Sequence, residues 1–227
     1  MRNSHATQAE QGDDQGMTVI EYFYSAHSAY AYLGAAELIE VSKRTGRRLE
    51  HRPMDVSLVM ETTGIASFKD MPPVRKQYFF NREIMRWADI RNAPVGGRPT
   101  HHDNPLDLSN GMLIAALQQG HNIDRLAHDV LEAHWRYDAD LADRNTLAKI
   151  ATDAGFDAAP LLDAALSPEV VAAYQANNAE AAARWVLGSP TYFVDGDMFY
   201  GQDRLDQVER ACAQAFPGPL FDGGLKT

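Results

Sequence analysis

Gly188-Ser189-Pro190-Thr191-Tyr192-Phe193-Val194-Asp195-Gly196-Asp197-Met198-Phe199-Tyr200-Gly201-Gln202-Asp203-Arg204 reads as three connected pieces. The runs Thr191-Tyr192-Phe193-Val194 and Met198-Phe199-Tyr200 flank Asp195-Gly196-Asp197. Asp-Gly between two apolar runs predicts a tight β-hairpin. Pro190 has no N–H to give a central ladder, so it marks an edge, a bend or a cis peptide just before the first of these strands. Gly201-Gln202-Asp203-Arg204 then opens a last helix that runs through Leu205, Val208 and Ala211 to about Ala215.

Toward the N-terminus, Thr18-Val19-Ile20-Glu21-Tyr22-Phe23-Tyr24 is β-branched and aromatic and predicts a buried strand. Ser25-Ala26-His27-Ser28 turns the chain into a helix from Ala29 to about Arg44, which Gly46 ends. Arg48-Leu49-Glu50-His51-Arg52-Pro53 predicts a second strand, and a right-handed crossover makes the two parallel. From about Asp55 to Trp185 the apolar spacing is helical, interrupted by the Gly-, Pro- and His-rich loop 93–102. The order is β-α-β, a helical block, then β-β-α, an α/β fold. Residues 1–16 are polar and aperiodic and predict a disordered tail. Residues 17–54 and 186–216 carry the strands, 55–185 form the helical insertion, and 217–227 a C-terminal tail.

With 227 residues, the chain can bury one core carrying an inserted subdomain. The net charge of −10 disfavours polyanions, so nucleic acid is not an expected partner. No apolar run approaches the ~20 residues needed to cross a bilayer, and Met1-Arg2-Asn3-Ser4-His5 lacks the apolar core of a signal peptide. The expectation is a cytoplasmic enzyme with no membrane partner. Cys212 is the single cysteine, which excludes an internal disulfide and a cysteine-based metal cluster. Beside Ala211, Ala213 and Phe216 it reads as a small core residue on a helix.

Ser28 follows a buried strand and starts a helix, where unpaired N–H groups and the helix dipole favour an anion. Serine is equally among the best residues for a plain N-cap there. Gly201-Gln202-Asp203-Arg204 brings a carboxylate, a guanidinium and amide groups to another helix start, suited to a ligand bearing both an amine and a carboxylate; an acidic cap is the alternative. His27 reads as a proton shuttle or as a residue that packs on the insertion or touches substrate. Tyr22, Tyr24, Tyr30 and Tyr32 read as core or pocket wall. His101, His102, His121, His128 and His134 show no ligand spacing that outweighs a solvated helix face, and no metal is expected.

Taken together, Ser28, the Ser189-Pro190-Thr191 step and the Gly201–Arg204 helix start resemble the 2-hydroxychromene-2-carboxylate isomerases and the kappa-class glutathione transferases, of the DsbA-like branch of the thioredoxin fold. The resemblance spans roughly residues 19–208 and is sharpest over 188–204. It implies a thioredoxin-like fold with a large all-helical insertion and glutathione as cofactor. It also implies that Ser28, standing where disulfide oxidoreductases keep their first cysteine, hydrogen-bonds the sulfur of glutathione. Pro190 is expected to be cis, with the Ser189 backbone pairing with the cysteinyl part, while Gln202, Asp203 and Arg204 hold the γ-glutamyl end. Pro73-Val74-Arg75-Lys76-Gln77-Tyr78 is similar to the family's Pro-x-Lys-x-x-Tyr, so Arg75 replaces the glutathione-contacting lysine. Ala29 replaces the proline usual after the serine, and Ile65 the asparagine often found after Thr-Gly. His27, Tyr30 and Trp87 are expected at a pocket for a small aromatic carboxylate. The family often dimerises, so a homodimer is a further expected partner state. The implied activity is glutathione-dependent isomerisation of an aromatic-degradation intermediate. The rivals are a transferase that conjugates electrophiles and a redox-inactive thioredoxin-fold binding protein.

Overall fold

The structure, a computed structural model, describes residues 19–66 and 70–221. The expected N-terminal tail, Thr18 and the end of the C-terminal tail lie outside the described residues. Strands β1 (Val19–Tyr24), β2 (Arg48–Pro53), β3 (Thr191–Val194) and β4 (Asp197–Tyr200) form one mixed sheet in the order β2-β1-β3-β4. β1 and β2 are parallel, joined by helix α1 (Ala29–Thr45), as the crossover rule requires. β3 pairs antiparallel with both β1 and β4.

The hairpin turns at Asp195 and Gly196, both at positive φ (50° and 87°), the geometry that favours Asp-Gly. The Arg47 guanidinium grips the Asp195 carboxylate with two hydrogen bonds of 2.7 and 2.8 Å, which ties the turn to the α1–β2 connection. Helix α1 stops at Gly46, whose φ of 69° places it in the left-handed region.

Between β2 and β3 every regular element among the described residues is helical. These are α2 (Val56–Thr63), α3 (Pro73–Gln77), a π-helical turn (Tyr78–Glu83), α4 (Ile84–Ile90), α5 (Asp107–Gln118), α6 (Asp124–Tyr137), α7 (Arg144–Asp153), α8 (Ala158–Ala164) and α9 (Pro168–Ala183). Asp55, Asp143, Asp157 and Ser167 cap α2, α7, α8 and α9 through their side-chain oxygens. After β4 a 3-10 turn (Gln202–Arg204) leads into α10 (Leu205–Ala213), two residues shorter than the sequence suggests.

Alternation along β1 divides the core. Ile20, Tyr22 and Tyr24 join Leu33 and Leu38 of α1, Val208 of α10 and the buried faces of α5 and α6. Phe23 points to the other face, with Val59, Met60, Val186 and Phe193. Glu21 also avoids the first cluster, and its carboxylate accepts from Arg184, 2.9 Å away; that guanidinium lies 3.7 Å from the Phe193 ring centre. His51 of β2 links the sheet to the insertion, sharing hydrogen bonds with Tyr24 Oη (3.1 Å) and the Asp124 carboxylate at the start of α6 (2.9 Å).

Candidate functional site

The segment from Ser25 to Ser28 joins β1 to α1 and is tied from several directions. The Ser25 N–H donates to Ser189 Oγ (3.0 Å), while Ser25 Oγ donates to the Met54 carbonyl (2.6 Å) and accepts from the Val56 N–H (2.9 Å). The Ala26 N–H donates to Asn110 Oδ1 (3.2 Å), and Trp135 Nε1 donates to the His27 carbonyl (2.8 Å). Asn110 is fully buried on α5 and also donates to Tyr174 Oη at 2.9 Å. The insertion therefore holds the loop that starts α1.

Ser28 is the N-cap of α1, its oxygen accepting from the Ala31 N–H at 3.2 Å. Its hydroxyl donates to the Ser189 carbonyl at 3.0 Å. The Ser189–Pro190 peptide is cis, and the Pro190 carbonyl accepts from the Gly201 N–H at 3.0 Å. That bond carries the chain from the proline step straight to the 3-10 turn. No acidic residue occupies the first turn of α1, so the positive end of its dipole faces this junction uncompensated by a side chain of its own. Cys212 lies on α10, with burial raising its thiol pKa.

The 3-10 turn divides its three residues. Gln202 is buried (1% exposed), and Arg91 of the insertion holds it, donating Nε to Oε1 and a terminal nitrogen to the Gln202 carbonyl, both at 3.0 Å. Arg91 also stacks on Trp87, 5.5 Å from its ring centre. Gly34 of α1 admits this close packing: a β-carbon there would stand 2.6 Å from Gln202 Cβ. Asp203 and Arg204 remain at the surface as an ion pair of 3.2 Å. Beside them is an open groove of about 440 Å³ walled by Leu187, Tyr200, Arg204 and Phe216, among others.

Tyr30 projects from the first turn of α1 and donates to the Phe79 carbonyl in the π-helical turn at 2.6 Å. Burial raises its pKa, with Glu83, Tyr200, Tyr78 and Asp203 adding to the rise. Arg75 lies over the Phe79 ring, 5.9 Å from its centre. The structure thus brings Ser28, Ser189, Pro190 and the 202–204 turn into one bonded set, and joins Tyr30 to the α3–α4 arm. Trp87 connects to that set through Arg91, and Arg75 connects to Tyr30 through Phe79.

His27 packs with two histidines of the insertion. Its ring centre is 4.7 Å from that of His102 and 6.5 Å from that of His134. His102 Nδ1 and His134 Nε2 are 3.0 Å apart, and His134 Nδ1 lies 3.0 Å from the Ala139 carbonyl. Burial, then His102 and His134, push the His27 pKa down to about 3. Burial, His134 and Arg98 take His102 to about 4, with Asp103 opposing. His134 is lowered too, mainly by burial. Burial thus disfavours the charged form of all three.

Elsewhere, His128, Asp129 and Glu132 approach one another on α6 closely enough to share a cation, and their carboxylates already pair with Arg125 and Arg136. No helix among the described residues is long and apolar enough to cross a membrane.

Arg91, Asn110 and Trp135 escaped the sequence reading. Their partners lie 111, 84 and 108 residues away, and no local pattern announces such pairs. The histidines of the loop were visible as a cluster, but His102 and His134 come together with His27 only across the insertion.

The chain is 28% identical over 193 residues to the 2-hydroxychromene-2-carboxylate isomerase of Sphingobium xenophagum, covering 84% of this chain and 95% of that protein. A solved 2-hydroxychromene-2-carboxylate isomerase superposes with a TM-score of 0.70 at 19% identity, over 86% of this chain and 95% of that one. The cytosolic disulfide reductase DsbM of Pseudomonas aeruginosa, solved with GSH, superposes with a TM-score of 0.57 at 15% identity, over 87% and 93%. The model of the DSBA-like thioredoxin domain matches residues 19–213, and the chain belongs to that family.

Proposed function

We propose that this protein is a glutathione-dependent isomerase that acts on an aromatic carboxylate of the 2-hydroxychromene-2-carboxylate type. The observation that carries the reading is the Ser28 hydroxyl at the uncompensated start of α1, bonded to the carbonyl that precedes cis-Pro190. A thiol brought there meets a helix N-terminus and a hydroxyl donor. Both stabilise the thiolate, and the chain offers no cysteine there with which to form a disulfide. Isomerase-named relatives at modest identity support the same reading.

Glutathione would lie with its cysteinyl part along Ser189, while Asp203 and Arg204, exposed and oppositely charged, would take the amine and carboxylate of its γ-glutamyl end. The side-chain oxygen of Gln202 is already held by Arg91, so Gln202 contributes by fixing the turn. To donate to sulfur, Ser28 would rotate its hydroxyl away from the Ser189 carbonyl. The thiolate would add to a conjugated carbon of the substrate, turn a double bond into a rotatable single bond, and leave unchanged. Tyr78, Phe79 and Phe80, all partly exposed on the arm bonded to Tyr30, supply aromatic surface for the substrate ring.

Lowering a thiol pKa by two units takes about 2.7 kcal/mol, within reach of a dipole plus one hydrogen bond. Ser28→Ala should raise the pKa of bound glutathione by about one unit and slow turnover roughly tenfold, at a cost of about 1 kcal/mol in stability from the lost cap. Thiolate absorbance of the protein–glutathione mixture across pH measures the first effect. An unchanged titration and unchanged rate in the variant remove Ser28 from the mechanism. Stoichiometric loss of glutathione during turnover would instead mark a transferase.

A further inference from the structure

We propose that His27 is the proton-transfer residue of this site, taking the proton from the substrate's hydroxyl and delivering one to its ring oxygen, with His102 and His134 positioning it. The inference rests on the isomerase reading above. A 2-hydroxychromene-2-carboxylate is a cyclic hemiketal. Its ring opens only if the hydroxyl loses its proton as the carbon–oxygen ring bond breaks, the bonding pair passing to the ring oxygen, which must then be protonated. A ketone and a phenol result, with no net proton, electron or co-reactant consumed. A thiolate held by Ser28 rotates the double bond but serves neither oxygen, so a separate acid–base group is required.

The group assigned to this role adjoins Ser28 in the chain. His27 directly precedes Ser28, and its backbone is fixed by Trp135 Nε1 at the His27 carbonyl. The Ala139 carbonyl can only accept, so His134 carries its proton on Nδ1. The Nε2 of neutral His134 is then an acceptor, which places the His102 proton on Nδ1 and leaves His102 Nε2 with its lone pair. The imidazole pair is thereby locked in one tautomer, stacked at 22° with ring centres 5.3 Å apart. His27 packs against it, and His27 Nδ1 is sealed from solvent with no hydrogen-bond partner among the described residues. A buried ring nitrogen left unpaired is costly unless something arrives to use it.

The charges around the trio fit the role. His102 and His134 face His27 itself; Arg98 and Asp103 face His102; Asp138, Asp140 and His101 face His134. Burial disfavours the charged form of all three imidazoles, which keeps the base form available. A substrate carboxylate and a thiolate bring negative charge to the site and raise the basicity of His27 when proton transfer is needed.

The test uses the full chain with glutathione and 2-hydroxychromene-2-carboxylate. His27→Gln should lower kcat about 100-fold with KM within about threefold, and should abolish the acidic limb of the kcat–pH profile. Imidazole added to His27→Ala should restore part of the rate. The glutathione thiolate titration should be unchanged in both variants, which separates this proposal from the glutathione reading: a wild-type protein that fails to shift that titration defeats the latter alone. Independently of turnover, the ring resonance of His27 should titrate near pH 3 in the free protein and move to higher pH with the carboxylate bound. An unchanged kcat and pH profile, a lost rate that imidazole does not restore, or a His27 resonance indifferent to the carboxylate overturns the proposal.

Discussion

The loop before α1 and the arm formed by α3, the π-helical turn and α4 both border the same junction, and they are built in opposite ways. Over residues 25–28 the backbone is held by Ser189, Met54, Asn110 and Trp135, and Ser25 and Ala26 are fully buried. Along α3 and the π-helical turn no residue is buried, and Val74 is 73% exposed. Tyr30 Oη on the Phe79 carbonyl couples this arm to the start of α1. Where charge must be stabilised, donors have to be fixed in advance, and burial with complete hydrogen bonding fixes them. On the proposed reading the arm admits an apolar ring, for which a lightly anchored surface suffices.

The contrast can be broken first at Asn110. Asn110→Ala leaves the Ala26 N–H buried without its acceptor, and should lower the unfolding free energy by about 2–3 kcal/mol, read from the denaturant midpoint at constant m. A loss below about 0.5 kcal/mol would mean that the loop is not held from the insertion.

Acid provides the next test. The folded-state pKa values of His27 and His102, about 3 and 4, lie below the ordinary 6.5. Between these limits the unfolded chain binds protons that the native state refuses, so stability is full above about pH 6.5 and falls as pH drops toward 3. Thermal melts from pH 7 to 4 should show this slope, and His27→Gln with His102→Gln should flatten it. An equal slope in the double variant would assign the acid sensitivity to other groups.

The smallest effect is expected at the link between the regions. Tyr30→Phe removes one exposed hydrogen bond and should cost only about 0.5–1 kcal/mol. Amide exchange over residues 73–90 should nonetheless quicken while residues 25–28 stay protected. If both segments loosen together, the arm and the loop are one cooperative unit.

Much of this was legible in the chain. The parallel β1–β2 pair follows from a strand-helix-strand pattern with Gly46 at the stop, and the hairpin from Asp195-Gly196 between apolar runs, because each rests on local backbone preference. Ser28 as a cap and Pro190 as a special peptide were visible for the same reason. The π-helical turn was not, since nothing in Tyr78-Phe79-Phe80 distinguishes it from an ordinary helix. Nor was the occupation of Gln202 by Arg91, because the side chains that compete for a buried oxygen are chosen by packing across the whole insertion.

Sequence alone determined which residue types stand at the helix start, at the proline step and on the hairpin, because turns, caps and strand alternation act within a few residues. Tertiary structure alone decided that Ser28 meets the Ser189 carbonyl, 161 positions away, and that His27, His102 and His134 form one cluster. Such meetings depend on closing long loops around a shared core, and that closure depends on the summed burial of the sheet and the insertion, with no short motif to announce it.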